Sequence, residues 1–182
     1  MKTLLYVVGE TVGWFACILG AAHHRHWLGA LAVMGLLGLH FVTRGERSAR
    51  RILMIMLMSV LFGFCFDSLL ILGGVYAPAR WLIPSPFATI WLMALWANFS
   101  LIVDVPLRWL QQHLVVAAVF GGVFGPFAYL GGQRLGAIQI GEPASFNIAV
   151  LTVAWAFGLA LLMLLARLLP VYRSGPETPA EA

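Results

Sequence analysis

The chain has 182 residues, of which 62% are hydrophobic and only 10% charged, with a net charge of +4. A soluble domain of ordinary composition is about 45–50% apolar and about 25% charged, so this chain lacks the polar residues to coat a water-soluble globule. Its arginines sit in short loops and helix flanks instead of on one basic face, which excludes nucleic acid as a partner.

The first apolar segment runs from Leu4 to about Ala22 and is interrupted by Glu10. A cleaved signal peptide is the rival reading, on Lys2, the apolar run and the small residues Gly20, Ala21 and Ala22. Glu10 falls where an uninterrupted apolar region belongs, which favours a retained first helix. After the polar link His23-His24-Arg25-His26, a second span covers Trp27 to about Val42. The loop Thr43–Arg51 carries four arginines against one glutamate.

Ile52–Tyr76 follows, twenty-five residues that are almost all apolar and enclose Asp67. About 20 residues at ~1.5 Å each cross a ~30 Å hydrocarbon core, so the segment is long enough to span. Pro78, Pro84 and Pro86 then break the chain beside an interfacial Trp81. The fourth span is Phe87 to about Val105, the fifth about Leu114–Gly132 and the sixth about Phe146–Arg167, with a polar, glycine-containing link over Gln133–Ser145. Residues 170–182 are rich in Pro, Glu, Ser and Thr and read as a disordered cytoplasmic tail.

The fold class expected is all-α: one domain, 1–169, built as a bundle of six transmembrane helices. Six spans put both ends on one side with Lys2, Arg44, Arg47, Arg50, Arg51, Arg108, Arg167 and Arg173. Arg25, Arg80 and Arg134 lie on the other, eight basic residues against three. By the positive-inside rule both termini are cytoplasmic, in a bacterial-type inner membrane. No internal repeat stands out.

The polar residues inside the spans are the candidates for function. An ionisable group there costs roughly 2.5–3.5 kcal/mol on insertion scales and is seldom present without a partner or a task. Asp67 shares a helical stripe with Ser59, Gly63 and Gly74, small residues that admit a neighbouring helix. It reads either as a hydrogen-bonded packing carboxylate or as a proton or ligand site. Glu10 has Gly13, Cys17 and Gly20 on its own face; it points inward or snorkels to the interface. Asn98 is expected to hydrogen-bond another helix, and Asp104 to be solvated or paired with Arg108 at i+4.

In the fifth span, Gly121, Gly125, Tyr129 and Gln133 share one face, and Pro126 predicts a kink. Counting in from the cytoplasmic ends at ~1.5 Å per residue puts Asp67 and Tyr129 both ~22 Å deep. The same count puts Glu10 and Asn98 both ~10 Å deep, with His40 near the edge. A polar pair in each leaflet follows, able to line a cavity or form a relay.

The remaining reactive residues read blandly. His23, His24 and His26 lack an Asp, Glu or Cys to complete a coordination set, so no metal is expected. Cys17 and Cys65 read as small packing residues. No serine elbow, phosphate-binding loop or zinc-protease motif is present, and no cofactor is expected.

Several phrases together resemble a bacterial family of small inner-membrane proteins, domain of unknown function 2878. These are GWFACILGA at 13–21 with LGALAV close behind, Phe66-Asp67-Ser68 leading into Gly73-Gly74-Val75, and Ile90-Trp91 followed by Leu95-Trp96-Ala97-Asn98-Phe99. Arg108-Trp109-Leu110 and GGVFGPFAYLGGQRLGAI at 121–138 complete the match, which extends over roughly 4–169. Val103-Asp104-Val105-Pro106 departs from the polar stretch expected there. The resemblance implies a lipid-related role and supplies no catalytic residue.

Three readings follow. The first is a non-enzymatic protein that handles a lipid or another apolar ligand, accessory to a lipid-modifying system. The second is a small proton-coupled transporter using Asp67 and Glu10, and the third an intramembrane enzyme with Asp67, Tyr129 or Glu10 as acid or base. The balance leans away from an enzyme. Membrane lipids are the expected partners, with a homo-oligomer or a membrane-enzyme partner left open.

Overall fold

The computed structural model describes residues 2–44, 46–79 and 87–170. Trp81, Pro84, Pro86 and the tail after Pro170 lie outside the described residues. Six α-helices run in chain order: α1 Lys2–Ala22, α2 Trp27–Arg44, α3 Glu46–Leu72, α4 Ile90–Val103, α5 Leu114–Arg134 and α6 Ala144–Leu168. Two short strands, β1 Tyr76–Pro78 and β2 Ile138–Ile140, pair antiparallel with Ala77 opposite Gln139. The all-α expectation did not include this pair. Three residues per strand are too few to show an alternating pattern in the sequence.

Among the described residues four helices are long and apolar enough to cross a membrane: Leu4–Ala22, Arg50–Leu72, Leu114–Arg134 and Ala144–Leu168. The apolar helices Trp27–Val42 and Ile90–Val103 are shorter. At ~1.5 Å per residue, the 14 residues of α4 extend only ~21 Å. The helix stops at Val103 instead of reaching Val105 because Pro106 has no N–H to continue the ladder. The Ile102 carbonyl that Pro106 cannot serve accepts from Leu107 N–H at 2.9 Å, and the Val103 carbonyl accepts from the buried Gln111 amide at 3.0 Å, on the 3₁₀ turn Arg108–Gln112. Pro126, by contrast, does not end α5, which is helical on both sides of it.

The third span ends at Leu72 and not at Tyr76, for a reason visible in the hydrogen bonds. Gly74 adopts φ +69°, Val75 N–H donates to Leu70 O, and Gly74 N–H to Ile71 O. That is a Schellman cap, which needs a left-handed residue just past the helix. The same cap closes α5 at Gly136 (φ 80°) and α1 at His24 (φ 59°). Counting back from each left-handed residue exposes a pattern that is hard to see in the sequence. Small residues stand at −15 and −11, and a buried Cys, Asp or Tyr at −7: Gly9, Gly13, Cys17; Ser59, Gly63, Asp67; Gly121, Gly125, Tyr129.

Those small residues set the packing. A Cβ on Gly13 would meet the Asn98 amide, one on Gly63 the Trp96 ring, and one on Gly125 the Trp155 ring. Each of these helices is thus notched where α4 or α6 inserts a large side chain, as close helix pairs in a membrane require. Helix α1 packs on α2 and α4, α3 on α4, and α5 on α6. Outside the notches the helices stay apolar, and Phe157, Val115 and Leu69 are at least 70% exposed. Apolar patches on that scale mark a lipid-facing surface.

At the end of the bundle opposite the strand pair, Arg51 ties three elements. Its guanidinium donates to both Asp104 carboxylate oxygens, with a closest approach of 2.9 Å, and to the carbonyls of Leu169 (2.8 Å) and Pro170 (3.1 Å). Asp104 therefore pairs with Arg51 of α3 and not with Arg108. The i+4 relation needs a continuous helix, and α4 has already ended. Only a planar fork serves a carboxylate and two carbonyls together. Arg51→Ala should lower the unfolding free energy by about 2–4 kcal/mol, and Arg51→Lys should recover less than half of it. Thermal melts in detergent, with the exposed Arg167→Ala as reference, check both.

Candidate functional site

Asp67 sits on the inner stripe of α3, one turn beyond Gly63, and is 2% exposed. Its Oδ1 accepts from the hydroxyls of Tyr76 (2.8 Å) and Tyr129 (2.6 Å), and its Oδ2 accepts from Trp96 Nε1 at 2.6 Å. Three elements, β1, α4 and α5, are thereby fastened to one carboxylate. The caps explain the placement. The Gly74 turn brings Tyr76 back over Asp67, and the Gly136 turn sets β2 against β1 so that α5 presents Tyr129 to the same point. The two tyrosine rings meet edge to face at 4.9 Å, and Trp96 stacks on Trp155 at 5.5 Å.

Beside this hub lies a slot of about 100 Å³. One wall is α1, with Glu10, Trp14 and Ile18 at successive turns. Facing it are Trp91, Leu95, Trp96 and Phe99 of α4 and Ala128, Tyr129 and Gly132 of α5, with Asp67 and Tyr76 at the far end. Helix α1 meets α5 above the slot, where Trp14 lies against Gly131 and Ile18 against Gly132. The eight steps of helical rise from Glu10 to Ile18 set the length of this wall at ~12 Å.

Of the residues singled out in the sequence, Asp67 and Tyr129 are in direct contact and Glu10 shares their cavity. Asn98 joins the same helix as Glu10 but through the backbone: Asn98 Nδ2 donates to Glu10 O at 2.7 Å, and its side chain fills the Gly13 notch. It is not part of the slot wall. His40 is apart from the site, bonded to Tyr6 at 3.0 Å between α1 and α2. His26 is buried in the α1–α2 link. Burial there, and then the nearby His24, hold its imidazole below the ordinary histidine range. Among the described residues no three His, Cys, Asp or Glu side chains converge on a point where a metal ion would sit.

Tyr76 and Trp96 were not expected as Asp67 partners. Trp96 stands beside Asn98 in the sequence and takes the lipid-facing look of its apolar neighbours. Its indole N–H was the available signal, since a buried carboxylate needs donors and Trp can only donate. Tyr76 is hidden in the sequence because the apolar run continues through the Gly74 cap up to it.

The caps, the notched helices and the four long apolar segments define the class, a helical membrane protein. A family model described as "Protein of unknown function (DUF2878)" matches residues 3–161. The chain belongs to that family. No curated protein and no solved structure matches it.

Proposed function

We propose that the chain is a six-span protein of a bacterial inner membrane, both ends cytoplasmic, that holds the end of a lipid acyl chain or a similar apolar group in its slot. Its role is non-enzymatic, accessory to a lipid-modifying system. The observation that carries this reading is the wall of the slot: aromatic and aliphatic side chains over most of its length, in the middle of the bundle. Sites of this kind bind apolar ligands and use few polar groups for orientation. A dry cavity of about 150 Å³ takes a benzene-sized molecule, so a slot of about 100 Å³ accommodates a chain end and not a whole lipid.

Asp67 supports this reading against catalysis. Its two oxygens already serve three protein donors, which leaves it a fastening for the slot and not a free acid or base. Cross-linking tests the proposal. A phospholipid with a photoreactive group at its chain end should label Trp14, Leu95 or Ala128, and Ala128→Phe, which fills the slot, should remove that labelling. Adducts confined to outward residues such as Val119 and Phe157 would refute it.

A second reading, a proton-coupled carrier, is favoured by one feature: Glu10 and Asp67 line the same cavity. It requires that Asp67→Asn abolish coupled uptake in vesicles while the protein stays folded.

A further inference from the structure

We infer that the slot takes an organic cation, the ammonium or trimethylammonium head of an amine, with Glu10 as its counter-charge. The inference rests on the apolar slot described above and goes beyond that reading, because it places a small cationic head there in place of a chain end.

Charge on the wall comes first. Glu10 and Asp67 carry carboxyl groups, and among the described residues no Lys, Arg or His side chain lines the slot. Asp67 is 2% exposed and already accepts from three donors, so it is poorly placed to take a ligand directly. Glu10 differs. Among the described residues its carboxylate has no hydrogen-bond or ion-pair partner, although it is half-buried on a cavity wall. In its ionised form that carboxylate attracts a cation at short range and repels an anion.

The rings come second. Trp14, Trp91, Trp96 and Phe99 make up much of the wall between the two acids. Indole and phenyl faces attract ammonium groups through their quadrupoles, most strongly where water is excluded, and aromatic enclosures are the usual receptors for quaternary ammonium. A carboxylate at one end of an aromatic slot therefore suits an amine head whose alkyl part lies toward Tyr129. A lipid headgroup and a free amine present the same chemistry.

The test is equilibrium dialysis of radiolabelled choline against full-length protein in phosphatidylglycerol nanodiscs, with empty discs subtracted. The control ligand is 3,3-dimethylbutan-1-ol, in which carbon replaces the charged nitrogen. Choline should bind at least tenfold tighter than the alcohol. Glu10→Gln should weaken choline at least tenfold and leave the alcohol unchanged, and Trp14→Leu should weaken choline severalfold while its melting profile stays intact. Phosphatidylcholine in the discs should compete if a headgroup is the ligand, and should have no effect if the ligand is a free amine.

Choline and alcohol binding with equal affinity would overturn the cation and leave the apolar-ligand reading standing. Binding of neither would overturn the cation as well, and the chain-end reading is decided by the cross-linking above. Should Glu10→Gln fail to fold, the choline-to-alcohol ratio of the wild type alone decides.

Discussion

Asp67→Leu is expected to lower the unfolding free energy by about 3–5 kcal/mol, the largest loss for any single polar residue in the bundle. The substitution strands two tyrosine hydroxyls and an indole N–H in a site that is 2% exposed. Each buried donor left without an acceptor costs roughly 1–3 kcal/mol, although membrane hydrogen bonds average nearer ~0.6. Leucine also lacks the carboxylate to which β1, α4 and α5 are tied, so the damage should spread beyond α3.

Asp67→Asn separates this role from proton transfer. The amide can turn its oxygen toward Trp96 Nε1, which only donates, and its NH₂ toward the tyrosines, whose hydroxyls can accept. The cost should then be about 1 kcal/mol. Urea or thermal unfolding in detergent micelles, read by tryptophan fluorescence, gives both numbers. Equal losses for Leu and Asn would show that hydrogen bonding is not what Asp67 supplies.

The second large effect is expected from a methyl group. Gly121→Ala puts a Cβ onto the Trp155 carbonyl and within 2.8 Å of Leu159 Cβ. A backbone oxygen cannot rotate aside, so α5 and α6 must separate, and overpacking of this kind costs about 1–3 kcal/mol or more. Gly35→Ala and Gly38→Ala are the comparison, since nothing lies within 4 Å of a Cβ at either. Both should be neutral or stabilising by about 0.5–1 kcal/mol, because alanine is the better helix former. If all three glycines responded alike, helix propensity and not the α5–α6 contact would be the cause. Gly63→Ala adds a second readout: displacing the Trp96 ring should also loosen the indole bond to Asp67.

The helical elements were legible because a lipid-facing helix announces itself by composition. The expected spans at 4–22, 27–42, 114–132 and 146–167 fall on α1, α2, α5 and α6 to within two residues at each end. The other two differ more: the third helix begins at Glu46, six residues before Ile52, the fourth at Ile90, three after Phe87, and at Tyr76 and Val105 a left-handed glycine and a proline cut the apolar run short. Hydropathy carries no information about either.

The site divides the same way. Depth along a helix is a linear count, so the shared level of Asp67 and Tyr129, and of Glu10 and Asn98, could be read before their neighbours were known. The partner of Asp104 could not be, because Arg51 lies 53 residues away and the local i+4 candidate was the only one the chain order suggested. Nor could the roles of Tyr76 and Trp96, which depend on two turns and on a notch at Gly63.

By itself, then, the sequence determined that this is a helical membrane chain with acids buried among apolar residues, because composition and period act within one helix. Only the tertiary structure decided that Asp67 takes three donors while Glu10 faces a slot and has no partner among the described residues. Hydrogen bonds between helices depend on which small residue lets which neighbour come close, and that is a property of pairs of helices rather than of any one segment.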